Sequence, residues 1–435
     1  MRLVRRAFAA GFVLATTIGS ASAIDIQEVT SPGGIHAWLV SDDTVPLVAM
    51  DFAFAGAGAA QDPTGKAGRA NLLSTMLDEG AADLDSVAFQ TALRDDAVRL
   101  SFEPSRDHFY GNVSVISSNL DRGMDLLAMA LTEPRFDEEA ISRMRASITA
   151  NLRREQNDPD TIASHLWSAT AFPNHPYGTP SNGTLESVAG LGSDDLAAAH
   201  SAGFAKDNLV VAVVGDVDAA TLGPMLDRAF GDLPDAADLT PVADVEPAVG
   251  ATAVEALETP QTAIRFGGPG LARDDPDFIP AYVMNHILGG GSFSSWLFEE
   301  VREKRGLAYS VYSYVAPFDH SAIFGGGTAT RNDRAEEAVA VILEQIGRMA
   351  SEGPTEEELG EAKAYLTGSY ALRFGSSSST ARQLLAIQLD DLGIGYIDER
   401  NDLVEAVTLD DVRRSAARIL GEGKPTFALV GPPAG

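Results

Sequence analysis

Residues 68–79 read Gly-Arg-Ala-Asn-Leu-Leu-Ser-Thr-Met-Leu-Asp-Glu, and the rest of the chain takes its meaning from this stretch. Leu72, Leu73, Met76 and Leu77 recur at i, i+1, i+4 and i+5, the apolar stripe of a helix. Asn71, Ser74, Thr75 and Asp78 then share the opposite face. Helical zinc sites of the inverted type use this spacing as His-x-x-Glu-His, where two imidazoles one turn apart hold the ion and the carboxylate between them activates bound water. Here the three positions carry a neutral amide and two hydroxyls, Asn71, Ser74 and Thr75. Such groups are poor zinc ligands. None titrates near neutral pH, so none can act as a general base there. The pattern is that of a metal-binding helix without its ligands.

The chain has 435 residues, 45% of them hydrophobic and 7% aromatic, which is enough apolar material for sizeable cores. That length suggests roughly two to four domains. Residues 1–23 read as a secretory signal, with Arg2, Arg5 and Arg6 as the basic segment, Ala7–Ile18 as the apolar segment and Ala21-Ser22-Ala23 as the cleavage site. Cleavage before Ile24 and a periplasmic location are expected. The apolar segment is shorter than the ~20 residues of a membrane span, and no later stretch reads as one. Asp and Glu number 62 against 32 Lys and Arg, a net charge of −30, which argues against nucleic acid and is compatible with basic peptides or simply with solubility. With no cysteine, disulfides, thiolate zinc sites and cysteine nucleophiles are excluded.

Outward from the quoted stretch, Ile35–Val40 and Val48–Phe54 read as the strands of a hairpin. Helices are expected over Asp85–Arg94, Leu120–Leu131, from Pro134 to about Glu155, over Thr161–Ala171 and over Ala219–Phe230. Strands are expected at Val98–Glu103, His108–Ser117 and Leu209–Val214, and the prolines of Phe172–Gly178 mark a loop. Residues 236–252 are rich in Asp, Ala and Pro without periodicity and read as a linker. The second half then repeats the first: strands at Thr262–Phe266, Ala308–Val315 and Ala322–Ala329, helices at Asp275–Leu288 and Pro354–Leu372, and a closing strand at Phe427–Gly431. Asp319-His320 takes the place of Asp107-His108. The expected fold class is α+β, in two similar domains over residues 24–235 and 253–435, each a mostly antiparallel sheet backed by helices.

Two further stretches are specific. Leu288-Gly-Gly-Gly-Ser-Phe-Ser-Ser-Trp-Leu-Phe298 is followed by Val301-Arg-Glu-Lys-Arg-Gly-Leu-Ala-Tyr309, and Val214-Gly-Asp-Val217 closes a strand in the first half. With residues 68–80 and 172–178, these resemble the pitrilysin/insulinase family of zinc metallopeptidases, in the short bacterial form related to mitochondrial processing peptidase. The resemblance covers nearly all of the mature chain. It implies two similar α+β domains that enclose a chamber when two such units face each other.

The same resemblance marks the departures. Family members carry His-x-x-Glu-His where this chain has Asn71, Ser74 and Thr75, and a Glu as third ligand near Asn151. The seven histidines include no pair at i, i+3 or i+4 that could substitute. Asp78 and Glu79 read as a solvated helix end, and neither a Gly-x-Ser-x-Gly elbow nor a Walker-type loop is present. What persists is Arg302 and Tyr309, which match the family's Arg and Tyr that reach substrate near the zinc. By that resemblance they are the catalytic residues of this chain, Tyr309 as a donor to a developing oxyanion and Arg302 as a clamp on peptide oxygens. The expectation is a non-catalytic subunit that binds no metal or cofactor itself, inactive alone. Its implied partners are a zinc-binding sister subunit in a heterodimer and a peptide or unfolded protein substrate. The alternative is a stand-alone pseudopeptidase that binds peptides or scaffolds an assembly.

Overall fold

The computed structural model describes residues 24–421 and 423–432, so the expected signal sequence lies outside the described residues. The first half opens with strands β1 (Gln27–Thr30), β2 (His36–Ser41) and β3 (Leu47–Phe54), helix α1 (Arg69–Ser74), the two-residue strands β4 (Gly80–Ala81) and β5 (Leu84–Asp85), and α2 (Ser86–Asp95). The hairpin β6 (Arg99–Pro104) and β7 (Phe109–Ile116) leads to α3 (Leu120–Thr132), α4 (Glu138–Glu155) and α5 (Pro159–Ala171). Two helices, α6 (Leu185–Ala189) and α7 (Ser193–Gly203), precede β8 (Leu209–Gly215) and α8 (Ala219–Phe230). The second half contains β9 (Thr252–Ala256), β10 (Gln261–Pro269), α9 (Phe278–Asn285), β11 (Ala308–Phe318) and β12 (Ser321–Arg331). It closes with α10 (Ala335–Ser351), α11 (Glu356–Gly368), α12 (Ser377–Leu389), α13 (Tyr396–Ala406), α14 (Leu409–Leu420) and β13 (Thr426–Gly431).

Each half builds one sheet, in the orders β1-β2-β8-β3-β7-β6 and β11-β12-β10-β13-β9. Read from opposite ends, β2, β8, β3, β7 and β6 correspond to β9, β13, β10, β12 and β11. Each sheet has one parallel pair, β2 with β8 and β13 with β9, and is otherwise antiparallel. The repeat holds to the residue. Phe52 lies opposite Gly111, and Phe266 lies opposite Gly326. A Cβ on either glycine would come within 2.1 Å of the Phe52 ring or 2.2 Å of the Phe266 ring, so only glycine admits the aromatic ring there. One face of each sheet is covered by its own helices over a core that holds Phe52, Phe54, Leu72 and Leu127 in the first half and Phe266, Leu297, Phe324 and Ile342 in the second.

Three expectations change. Ile35–Val40 and Val48–Phe54 are not a hairpin, because β8 lies between β2 and β3, parallel to one and antiparallel to the other. Val211–Val214 are buried and apolar on both faces, which places that strand inside the sheet, between neighbours that are distant in sequence. Pro134 does not open a helix: it bridges to Ala81, Phe136 has a left-handed φ of 49°, and α4 begins at Glu138. The helix at residues 68–79 ends at Ser74, five residues early.

The second faces of the sheets are covered by helices that cross between the halves. α12, from the second half, lays Ala381, Leu384 and Leu385 on Ala53, Ala212 and Val214 of the first sheet, and its Gln388 Nε2 donates to the Val211 carbonyl at 3.1 Å. α5, from the first half, packs on β10 and β13, where Trp167 Nε1 donates to the Thr426 carbonyl at 3.1 Å. The two equivalent hairpin turns also meet. The fully buried Tyr177 donates its hydroxyl to Asp107 Oδ1 at 2.5 Å and accepts the His320 N–H at 3.1 Å, while the Asp319 N–H donates to Asp107 Oδ2 at 3.2 Å. Burial beside the Asp107 carboxylate pushes the Tyr177 phenol far above its ordinary range. The loop Phe172–Gly178 is therefore part of the junction between the halves.

Candidate functional site

α1 is started from outside itself. Gly68 adopts a left-handed φ of 86°, and the Asp62 carboxylate accepts the N–H groups of Gly68, Arg69 and Ala70 at 2.9, 3.0 and 3.0 Å. Even so, burial raises Asp62 to about 6. The helix ends where its hydroxyls turn inward: Ser74 Oγ donates to the Asn71 carbonyl and Thr75 Oγ1 to the Leu72 carbonyl, both at 2.8 Å. Ser74 is buried with Leu72, Leu73, Met76 and Leu77, so Asn71, Ser74 and Thr75 do not form one open face. Asn151 stands on α4, which packs against α1, with an exposed side chain that accepts a hydrogen bond from Arg154.

The donor set does not fit zinc. It offers two hydroxyls committed to backbone carbonyls and two neutral amides, with no imidazole and no carboxylate at these positions. Among the described residues no cluster of three His, Asp or Glu side chains is arranged to hold a metal. The reading of Asp78 and Glu79 as a solvated end is also corrected. Asp78 accepts from Gln90 Nε2 at 3.0 Å and burial raises its pKa, while Glu79 accepts from Ser86 Oγ at 2.5 Å and pairs with Arg143.

Arg302 and Tyr309 are brought together. Residues 298–303 form a widened helical turn, and past it Gly306, with φ 58°, lets the chain reverse into β11. The Arg302 guanidinium carbon lies 4.6 Å from the Phe298 ring centre, 4.8 Å from that of Tyr309 and 5.6 Å from that of Phe293. Three rings thus hold the cation with its fork free for a further partner, apart from a 3.6 Å approach of Nε to Glu303. Tyr309 is 81% exposed and Phe293 76%. The preceding turn is fixed from behind: Trp296 Nε1 donates to Glu358 Oε1 at 2.6 Å, and a Cβ on Gly289 would lie 2.7 Å from the Ser313 nitrogen. The glycine run is therefore a close backbone approach and none of its members has a positive φ. Phe293 and Phe298 were not read from the sequence as members of this cluster. Their signal was their spacing from Arg302, nine residues for Phe293 and four for Phe298, the latter a separation at which helical side chains meet.

Two sheets related by an internal repeat, a helix at the metal position without ligands, and an assembled Arg–Tyr pair with an exposed tyrosine in the second half define a metallopeptidase-like chain without a metal site of its own among the described residues. Comparison with known proteins agrees. Residues 48–185 match the family described as Insulinase (Peptidase family M16), and residues 191–366 match the Peptidase M16 inactive domain. The chain belongs to peptidase family M16. It is 28% identical over 416 residues to an uncharacterized zinc protease of Streptomyces coelicolor, covering 94% of this chain and 90% of that one. It is 28% identical over 361 residues to a non-peptidase homolog of Helicobacter pylori, covering 82% and 83%. Its fold is similar to the crystal structure of a peptidase M16 inactive domain from Pseudomonas fluorescens, with a TM-score of 0.88, 25% identity and coverage of 94% and 98%.

Proposed function

We propose that this chain is the non-catalytic subunit of a periplasmic heterodimeric zinc metallopeptidase, and that Arg302 and Tyr309 act on substrate held at the zinc of the sister subunit. The observation that carries this reading is the contrast between the two sites: the metal helix has no ligand, yet the Arg302–Tyr309 pair is assembled, with Tyr309 exposed and Arg302 half-buried among aromatic rings. A pure scaffold has no need of an exposed tyrosine hydroxyl beside a ring-supported guanidinium. The family supplies the rest by resemblance. Two facing units place each second half against the partner's first half, so a subunit that gives only the donor and the clamp can dispense with its own zinc. Zinc held by the sister subunit would polarise the scissile carbonyl. In this chain Tyr309 donates to the oxygen that gains charge, and Arg302 orients the peptide. Affinity purification of the native protein from its own cells, followed by mass analysis, tests the assembly. A co-purifying M16 relative with intact His-x-x-Glu-His supports it, and recovery only of the chain itself would overturn it in favour of a stand-alone scaffold.

A further inference from the structure

The second faces of the two sheets carry equivalent clefts of different charge: Asp51, Glu103 and Arg382 line the first, Arg265 and Arg106 the second. The first, bounded by β3, β6, β7 and α12, encloses about 470 Å³; the second, bounded by β10, β11, β12 and α5, about 290 Å³. Strand register equates Asp51 with Arg265, since each precedes the phenylalanine that lies opposite the cross-strand glycine. Helix spacing equates Arg382, Leu385 and Ala386 of α12 with Ser164, Trp167 and Ser168 of α5.

In the second cleft the charge is satisfied from within. Arg265 Nε donates to Ser164 Oγ at 3.0 Å, the guanidinium pairs with Asp160 at 3.3 Å, and it lies 5.9 Å from the centre of the Tyr312 ring. In the first cleft, Asp51 is only 6% exposed, and among the described residues its carboxylate has no hydrogen bond and no ion pair. An unpaired buried carboxylate is costly, and here burial raises it to about 6 against the opposing field of Arg382. The charged and titratable groups that face Asp51 are Arg382 on α12, Glu103 on β6 and Tyr110 on β7, whose phenol burial pushes up to about 12. At neutral pH the cleft therefore holds two carboxylates against one guanidinium. It opens on the face opposite α1, because Phe52 and Phe54 join the core that contains Leu72 while Ala53 packs under α12.

We infer that the cleft between β6 and α12 is a binding site for a cationic alkyl group, a primary ammonium or a guanidinium, with Asp51 as its counter-ion. The cavity has the size of an arginine-like ligand rather than of an ion alone. The site lies apart from Arg302 and Tyr309 and requires no partner subunit. The cation can come from a free amine or from a basic side chain of a peptide lying along the edge strand β6.

Isothermal titration of the purified protein with agmatine, with a capped tetrapeptide containing one arginine, and with its citrulline analogue separates these sources. Binding of agmatine identifies a free cation; binding of the arginine peptide alone identifies a side chain, and the neutral citrulline peptide is expected not to bind. Because a carboxyl group with pKa about 6 is ionised to roughly 97% at about pH 7.5 and to roughly 9% at about pH 5, affinity should fall about tenfold between them. Asp51→Asn should weaken binding at least about tenfold at the higher pH. Ala386→Phe, which fills the cavity without changing charge, should do the same and keeps the test decisive if Asp51→Asn disturbs folding. No binding of either cation, or equal binding by wild type and both variants, would overturn the assignment.

Discussion

Asn71, Ser74 and Thr75 differ from zinc ligands by more than missing charge. Ser74 is buried, and both hydroxyls are bonded to the carbonyls of their own turn, so the local structure has settled around their absence from any metal site. The protein alone should hold no stoichiometric zinc, and about one zinc per chain by elemental analysis after dialysis against a weak chelator would contradict this. Placing His, Glu and His at these three positions should not restore binding, since Asn151 still lacks the third ligand and the surrounding hydrogen bonds support the present residues. Asp51 gives a second test at this scale. Its folded pKa of about 6 is above the ordinary 3.8, so the folded state holds the proton more tightly and stability from this group falls as pH rises from about 4 to about 6. A shift of that size corresponds to at most ~3 kcal/mol at neutral pH. Asp51→Asn should accordingly stabilise the fold by about 1–2 kcal/mol near pH 7.5 and by little near pH 4, read from denaturant midpoints. Equal destabilisation at both pH values would contradict the buried, unpaired carboxylate.

At the scale of elements, local signals gave the strands β6, β7 and β8 and the helices α2, α3 and α8, because each carries its own period or cap. Asp85, for instance, accepts the Ala88 N–H at 2.8 Å and starts α2 as its residue type suggests. The caps of α6 and α14, Thr184 with Ser187 and Thr408 with Asp411, were equally present in the sequence but passed unread. The position of β8 between β2 and β3 was not legible, since periodicity tells which face of a strand is buried and not which strand lies beside it. The same limit hid the crossing of α5 and α12: the stripe Ala381, Leu384, Leu385 announces a buried face, but not that the sheet beneath it belongs to the other half. Leu384 is fully buried in that contact. Leu384→Ala should cost about 2–5 kcal/mol, and because α12 joins both halves, thermal unfolding should remain one transition at a lower midpoint. Two separate transitions would show that the crossed helices do not couple the halves.

For the whole molecule, the internal repeat was legible in the recurring order of strands and helices and in Asp319-His320 against Asp107-His108, and the family resemblance in residues 68–80 and 288–309, because glycine approaches, a tryptophan anchor and the Arg–Tyr spacing constrain the sequence directly. The full aromatic support of Arg302 was not, since Phe293 and Tyr309 lie outside the turn that carries Arg302 and reach it only through the fold. The account rests on an asymmetry between halves: the first has lost its metal chemistry, and the second presents an assembled donor and clamp. If that pair completes a site in trans, its loss must be felt in a reaction this chain cannot perform alone. Removing one oxyanion donor typically costs about 10²–10³ in turnover, or roughly 3–4 kcal/mol in the barrier. The most direct measurement is peptidase turnover of the complex reconstituted from an unaltered zinc-bearing sister subunit and this chain carrying Tyr309→Phe. The account predicts a fall of about that order in kcat with assembly and zinc content unchanged. Full activity of the Tyr309→Phe complex would contradict it.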